Sequence, residues 1–423
     1  MNDKIYWIWL SLACAPGTAT FPRLIEKYKS AREIYNADIK DLVKCIDPRS
    51  SDRTRLSNKS LDRANEIFEF CTKKKVGILS YDDVFFPNML KAIQSPPVIL
   101  YYRGVLPNFN NGFYVSVVGT RSISDYGRKN AFKISYDLSC AGATIVSGMA
   151  MGIDGIAHAA ALEADKATVA VLGSGIDVCY PGQHLVLARN IVKHGCIITE
   201  FAPGTPPAKN NFPVRNRIIS GLSVATVVIE GQEKSGARIT AAYAKDQGRT
   251  VYALPGNIES KNSEITNVLL KNGARIITSA DDLVRDYQDV YPSIINPFNL
   301  KTKLPVDIMD SLHKYEVVAI SSSDDVFPSS KPKKKKNNYC TANTTKTITT
   351  EITNNESVVE DKFDKKVFDI YKKIPLEGVC TVESLLDDNN NLRDAMKCLL
   401  KLEVYGFVTM LPGERVARKN SER

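Results

Sequence analysis

Between residues 113 and 287 the chain alternates two kinds of segment. Short β-branched strings stand at Tyr114–Val118, Thr144–Ser147, Thr168–Leu172, Cys196–Thr199, Val224–Ile229, Thr250–Leu254 and Ala274–Thr278. Amphipathic stretches of ~10–20 residues, long enough for a helix, separate them. Gly142, Gly195, Gly248 and Gly273 fall where helices should end. Strand–helix alternation of this length predicts an α/β fold. Its core is an extended Rossmann-like, doubly wound parallel sheet with right-handed crossovers.

The flanks read differently. Residues 1–75 predict a small domain of short helices, punctuated by Pro16-Gly17 and Phe21-Pro22, with Leu24, Ile25, Tyr28 and Ile34 at helical spacing. Residues 76–287 form the core segment, entered through a strand at Val98–Tyr102. From 288 to 360 the apolar period is lost. A serine-aspartate cluster, a lysine run at 331–336 and a Thr/Asn-rich stretch predict a disordered linker. Residues 361–423 predict a winged helix: three helices, the second beginning at Thr381, then a small hairpin with a turn at Pro412-Gly413.

The 423 residues carry a formal net charge of +9. Without the five lysines of the linker run it is +4, so the basic excess permits a polyanionic partner without requiring one. Residues 113–280 alone are net +5. The nine cysteines are scattered and form no CxxC pair, which disfavours a zinc ribbon or a secreted disulfide framework and suits a reduced, cytoplasmic protein. Ile5–Ala15 is apolar and ends in Ala-Cys-Ala, as a signal peptide can. Asp3 and the early break at Ser11 favour a buried first helix instead. No apolar run is long enough for a transmembrane helix.

Glycine turns recur where strands should end. The first is Gly119-Thr120-Arg121, the second Ser147-Gly148-Met149-Ala150 leading to Gly152-Ile153-Asp154, the third Gly173-Ser174-Gly175 leading to Tyr180-Pro181. Glycine admits an anion close to backbone N–H groups, and arginine adds a two-pronged phosphate grip. Phe212-Pro213-Val214-Arg215-Asn216-Arg217 is the densest cluster. Its two arginines cannot share one helix face, so one can face a crevice while the other ties down the fold. Ser235-Gly236 opens a further turn. Position 178 is Val, which breaks a dinucleotide fingerprint, and Ala237-Arg238 stands where a P-loop needs Lys-Ser/Thr. Hydride transfer and ATP hydrolysis are therefore not expected. Asp154 and His158 have i, i+4 spacing and admit a metal or acid–base reading. A capping carboxylate and a packed imidazole are the simpler one.

In this order the motifs resemble the DNA-processing protein A family (DprA, also called Smf). Its matching strings include Gly119-Thr120-Arg121, Gly173-Ser174-Gly175, Phe212-Pro213-x-Arg215-Asn216-Arg217, Ser235-Gly236 and Pro255-Gly256. The resemblance extends to residues 76–105 and to both terminal domains, the first being sterile-alpha-motif-like. It implies binding of single-stranded DNA during natural transformation, protection of that strand and loading of the RecA recombinase. It also implies a homodimer formed through the core, no cofactor and no catalytic residue. The DNA-binding residues it implies are Gly119, Thr120, Arg121, Gly148, Gly173, Ser174, Gly175, Tyr180, Pro181, Arg215, Asn216, Arg217, Ser235 and Gly236. The chain departs from the family in having Met151 and Gly182 where basic residues are common, and Ala237-Arg238 for Ser-Leu. Two other readings compete: a nucleotide-processing enzyme of the phosphoribohydrolase-like fold, and a DNA regulator acting through the winged helix.

Overall fold

A computed structural model describes residues 2–301, 314–315, 365–375, 380–386, 392–404, 407–411 and 415–418. The chain divides into two compact units, Met1–Lys331 and Pro332–Arg423. The linker's lysine run and Thr/Asn-rich stretch lie outside the described residues.

The first unit is built on a nine-stranded sheet: β1 (Gly77–Ser80), β2 (Ile99–Gly104), β3 (Tyr114–Val118), β4 (Thr144–Ser147), β5 (Thr168–Val171), β6 (Cys196–Thr199), β7 (Ala225–Val228), β8 (Thr250–Ala253) and β9 (Arg275–Ile276). All seven strings of the alternating region are strands, and they pair in parallel. The spatial order is β1-β2-β6-β5-β4-β3-β7-β8-β9. Winding therefore runs one way from β3 and the other way from β7, and the topological switch point lies between those two strands.

The sheet is not parallel throughout. β2 pairs antiparallel with β6, and β1 pairs antiparallel with β2. A parallel neighbour needs a crossover of a dozen or more residues, usually a helix. Between β1 and β2 the chain holds only one four-residue helix, Asn88–Lys91.

Both faces of the sheet are covered because side chains alternate across each strand. Val115 and Val117 of β3 face one core, shared with Phe132 and Leu138 of the helix Asp125–Cys140, Ile153 and Ala157 of the helix Ile153–Glu163, and Leu283 of the helix Ala280–Tyr287. Tyr114 and Val118 face the other, with Ile218 and Ile219 of the helix Asn211–Gly221 and Ala241 of the helix Gly236–Asp246. The 288–360 segment begins as packed chain rather than linker. Ile295 is buried in the first of these cores, and the Asn296 amide donates to Ala141 O.

The N-terminal helices α1 (Asp3–Ala13), α2 (Thr20–Tyr28), α3 (Ala31–Asn36), α4 (Ile39–Leu42), α5 (Asp52–Ser57) and α6 (Asp62–Lys73) share a core with the β1/β2 end of the sheet. The apolar N-terminal segment is one of them: Trp7, Ile8, Trp9 and Leu10 of α1 are buried. Of the four glycines expected to end helices, Gly142, Gly248 and Gly273 take positive φ. Gly195 does not. It is needed for space, since a Cβ there would lie 2.2 Å from Thr168 O.

In the second unit, the helices Lys365–Lys373 and Leu392–Val404 pack on a three-stranded antiparallel sheet of β10 (Cys380–Thr381), β11 (Val408–Leu411) and β12 (Arg415–Arg418). Val367, Tyr371, Leu399, Leu402, Val408 and Val416 form its core. The order is that of a winged helix, with one correction. The helix expected from Thr381 is a strand followed by a single 3-10 turn, Val382–Leu385, because Cys380 and Thr381 pair with β12.

One buried ion pair joins the helix Asn211–Gly221 to the exit of β6, next to the N-terminal helices. Arg217 donates from both Nη atoms to Glu200, at 2.7 Å each, beside the Pro16-Gly17 turn. Removing one partner strands the other charge away from water. Glu200→Ala is therefore expected to lower unfolding free energy by about 3–5 kcal/mol, read from urea denaturation. A midpoint equal to wild type would show that the pair does not brace this junction.

Candidate nucleic-acid interface

Outside the C-terminal ends of β3 and β7 lies a cleft of about 600 Å3. This is the switch point, where open α/β sheets take ligands. After α6 the helices of this unit continue with α7 (Asn88–Lys91), α8 (Asp125–Cys140), α9 (Ile153–Glu163), α10 (Leu185–His194), α11 (Asn211–Gly221) and α12 (Gly236–Asp246).

The turn leaving β3 is pinned from two sides. The Thr120 amide donates to Glu230 O at 2.9 Å, tying the β3 exit to the β7 exit. The Glu230 carboxylate, itself buried, accepts from the Ser124 amide at 3.1 Å, from Ser124 Oγ and from Asn262 Nδ2 at 3.4 Å. Below the turn, Gly152 has φ +82°, and a Cβ there would lie 2.3 Å from Thr120 O. Only glycine combines that backbone conformation with so close an approach. The outcome is that Arg121 leaves the turn exposed, at the lip of the cleft.

Arg215 forms the floor. It projects from α11, is 3% exposed, and its guanidinium reaches under the exits of β4 and β5. Nη1 donates to Gly148 O at 2.8 Å and to Val171 O, while Nε donates to Asn216 Oδ1 at 3.1 Å. Asn216 in turn donates to Gly236 O at 3.3 Å, so the floor is linked to the start of α12. Burial pulls Arg215 down to about 10, opposed by the Asp154 carboxyl and assisted by the Arg121 charge; it stays protonated at neutral pH. Burial likewise pushes the Asp154 carboxyl above the ordinary range, against Arg215 and the Gly148 amide that donates to it at 3.2 Å.

An aromatic pair lines the wall. Tyr180 and Phe212 lie with ring centroids 5.5 Å apart and planes at 35°. Arg121 stands over the Phe212 ring at 5.4 Å and Arg215 at 5.9 Å. Tyr180 keeps 40% of its surface exposed. A flat apolar face beside fixed and mobile cations suits a ligand with a planar group and an adjacent anion.

Residues 77–288 match the model of the family described as DNA recombination-mediator protein A. The chain belongs to this family. Protein Smf of Synechocystis sp. is 30% identical over 435 residues, covering 99% of each chain. DNA processing protein DprA of Bacillus subtilis is 38% identical over 213 residues, which is 50% of this chain and 72% of that one. The X-ray structure of DNA processing protein A from Streptococcus pneumoniae aligns with a TM-score of 0.58 at 31% identity, covering 68% of this chain and 98% of its own.

The family motifs do not all reach the cleft. Gly119, Thr120, Arg121, Tyr180, Arg215, Asn216, Ser235 and Gly236 line it. Gly148 lies beneath, where a Cβ would come 2.5 Å from Arg215 Nη2 and 2.7 Å from Asp154 Oδ2. The β5 exit sits behind the wall. Gly173 lies against the Phe212 ring, Ser174 donates to Val178 O at 3.0 Å, and the Gly175 amide donates to Thr205 O. Pro181 follows a cis peptide and does not line the cleft. Arg217 is turned away, into its pair with Glu200. Residues that sequence reasoning did not single out also line the cleft, among them Lys209, Lys234 and Gln232. The only signal for the lysines was their place in loops next to family motifs.

Asp154 and His158 do not form a site together. His158 is fully buried and its Nδ1 lies 2.7 Å from Thr168 Oγ1, which donates onward to Ile145 O. No group of three potential metal ligands occurs among the described residues. Burial depresses the imidazole to about 3, against about 6.5 in an unfolded chain. The unfolded chain therefore binds a proton that the folded one refuses. This contribution to stability is complete above about pH 6.5 and is lost as the pH falls towards 3, at most about 1.4 kcal/mol per pH unit. In His158→Gln, unfolding free energy should fall less steeply than in wild type between about pH 6.5 and pH 4.5. Parallel curves would mean that His158 is hydrated and titrates normally.

Proposed function

We propose that the chain binds single-stranded DNA along the switch-point cleft and acts as a recombination mediator, protecting the strand and loading the RecA recombinase onto it. The observation that carries the reading is the exposed Tyr180 tilted against Phe212, with Arg121 beside it. A single strand presents unpaired bases next to phosphates. Stacking on an aromatic face with cations alongside is how such a strand is gripped irrespective of sequence. Lys209 and Lys234, exposed on the same cleft, extend the positive rim. A duplex hides its base faces and gains only the charge term.

Nothing in the cleft favours a nucleotide-processing enzyme. Asp154 is held by Arg215 and Gly148, and the Glu230 carboxylate is committed to Ser124 and Asn262. A homodimer through the core would carry two such clefts and lengthen the strand held, raising avidity. No helix among the described residues is long and apolar enough to cross a membrane.

Fluorescence anisotropy with oligo-dT over a salt series tests the reading. Arg121→Ala should weaken binding and reduce the slope of log K against log salt by about one. Tyr180→Ala should cost about 1–3 kcal/mol with the salt slope unchanged. Equal affinity for duplex and single strand, together with wild-type binding in both variants, would overturn it.

A further inference from the structure

A second cavity, of about 270 Å3, adjoins the cleft. Arg121 lines both. Its place between the two follows from the turn it sits on. The backbone at Thr120 and Arg121 rests on Gly152 at the start of α9, so its side chain has the Phe212 ring on one flank and the α9 N-terminus on the other. The second cavity is walled by Arg128, Met151, His184, Leu187 and Tyr315.

Three features give it chemistry. The first is charge: Arg121 and Arg128 both border it. The second is an apolar rim, since Met151 is 43% exposed there. A thioether beside the cavity offers a polarisable apolar contact. The third is the wall itself. Tyr315 comes from the segment that follows residue 301, yet it is half-buried against the core, and its hydroxyl donates to Glu163 Oε1 at 3.0 Å. Lys314 pairs with the same carboxylate at 3.1 Å. Glu163 ends α9, so these two contacts fix the aromatic ring at the edge of a cavity whose opposite side begins the same helix.

We propose that this cavity receives the next base of a bound single strand, which passes over Arg121 out of the cleft and stacks on Tyr315. The inference rests on the single-strand reading of the cleft. The volume lies just below the range that takes a drug-sized ligand, which suits one base rather than a longer segment. The two arginines hold the flanking phosphates, and Tyr315 supplies the planar face that Tyr180 supplies in the first compartment. The segment beyond the core thereby contributes a DNA contact of its own.

The full-length chain tests this with two oligo-dT probes, one of about 4 nucleotides and one of about 16, near the ends of the range of single-strand site sizes. Tyr315→Ala should bind the longer probe about 10-fold more weakly than wild type and the shorter one within about twofold, with Tyr315→Phe close to wild type on both. The Phe variant keeps the ring and loses only the Glu163 hydrogen bond, so it separates stacking from tethering. Unchanged binding of the longer probe by Tyr315→Ala would overturn the inference. So would tighter binding, which would make Tyr315 a plug, or an equal loss in Tyr315→Phe, which would make the tether the active element. In all three cases the Arg121→Ala defect on the shorter probe would persist, leaving the reading of the cleft intact. Loss of single-strand binding by wild type itself would defeat both.

Discussion

A guanidinium buried at the end of a sheet is the constraint around which the cleft is arranged. Removing a charge from water is expensive unless the site returns its hydrogen bonds and balances its charge. Arg215 receives carbonyls from the exits of two strands, an amide oxygen from its own neighbour, and a carboxyl from α9. Each partner carries its own requirement. Position 148 must be glycine, because a Cβ there would strike both Arg215 and Asp154. Asn216 must be an amide, since it accepts from Arg215 and donates to Gly236 O. Motifs separated by up to about ninety residues in the chain are thus parts of one polar network.

The helix carrying Arg215 serves two surfaces at once. Successive residues of an α-helix are rotated by about 100°, so side chains two apart point to nearly opposite sides. Arg215 and Phe212 address the cleft, while Arg217 enters the junction with the N-terminal helices and meets Glu200. The turn between α1 and α2 packs against this same helix near Val214 and Arg217, although no residue of the N-terminal helices lines the cleft. The sheet order adds the second half of the design. The β3 and β7 exits are tied by the Thr120 amide and the Glu230 carbonyl, so the lip bearing Arg121 and the turn bearing Ser235 hold a set separation.

Much of this was readable from the chain, for physical reasons that differ by element. Strands buried on both faces are β-branched runs, and the five strings from Tyr114 to Ile229 announce themselves that way, while Thr250–Leu254 and Ala274–Thr278, nearer the sheet edge, are less buried. The turn glycines were legible as turns. Which of them reach a ligand was not, because that depends on neighbours far away in sequence: Phe212 covers Gly173, and Thr205 takes the Gly175 amide. The opposed directions of Arg215 and Arg217 followed from helix geometry, whereas Glu200 as the partner of Arg217 required the fold. β1 was missed because four residues beside a short helix give no period to detect. The packing of residues 288–301 was missed for a similar reason. Its anchors are single contacts such as the Asn296 amide on Ala141 O and the buried Ile295.

The cleft separates two kinds of positive charge, and they do different work. The charge on Arg215 is rigid, buried and largely spent on protein partners, so it adds a constant potential to the floor with little exchange of counterions. The charges on Arg121, Lys209 and Lys234 are exposed, and contacts they make with phosphates release counterions and weaken with salt. Neither kind reads base identity. The planar contact available, the tilted Tyr180–Phe212 pair, accepts any base because every base has a π-face. On the proposed reading the cleft holds a strand of arbitrary sequence, with geometry set by the floor and affinity set by the rim. That division is what a protein needs if it must take strands as they arrive and later give them up.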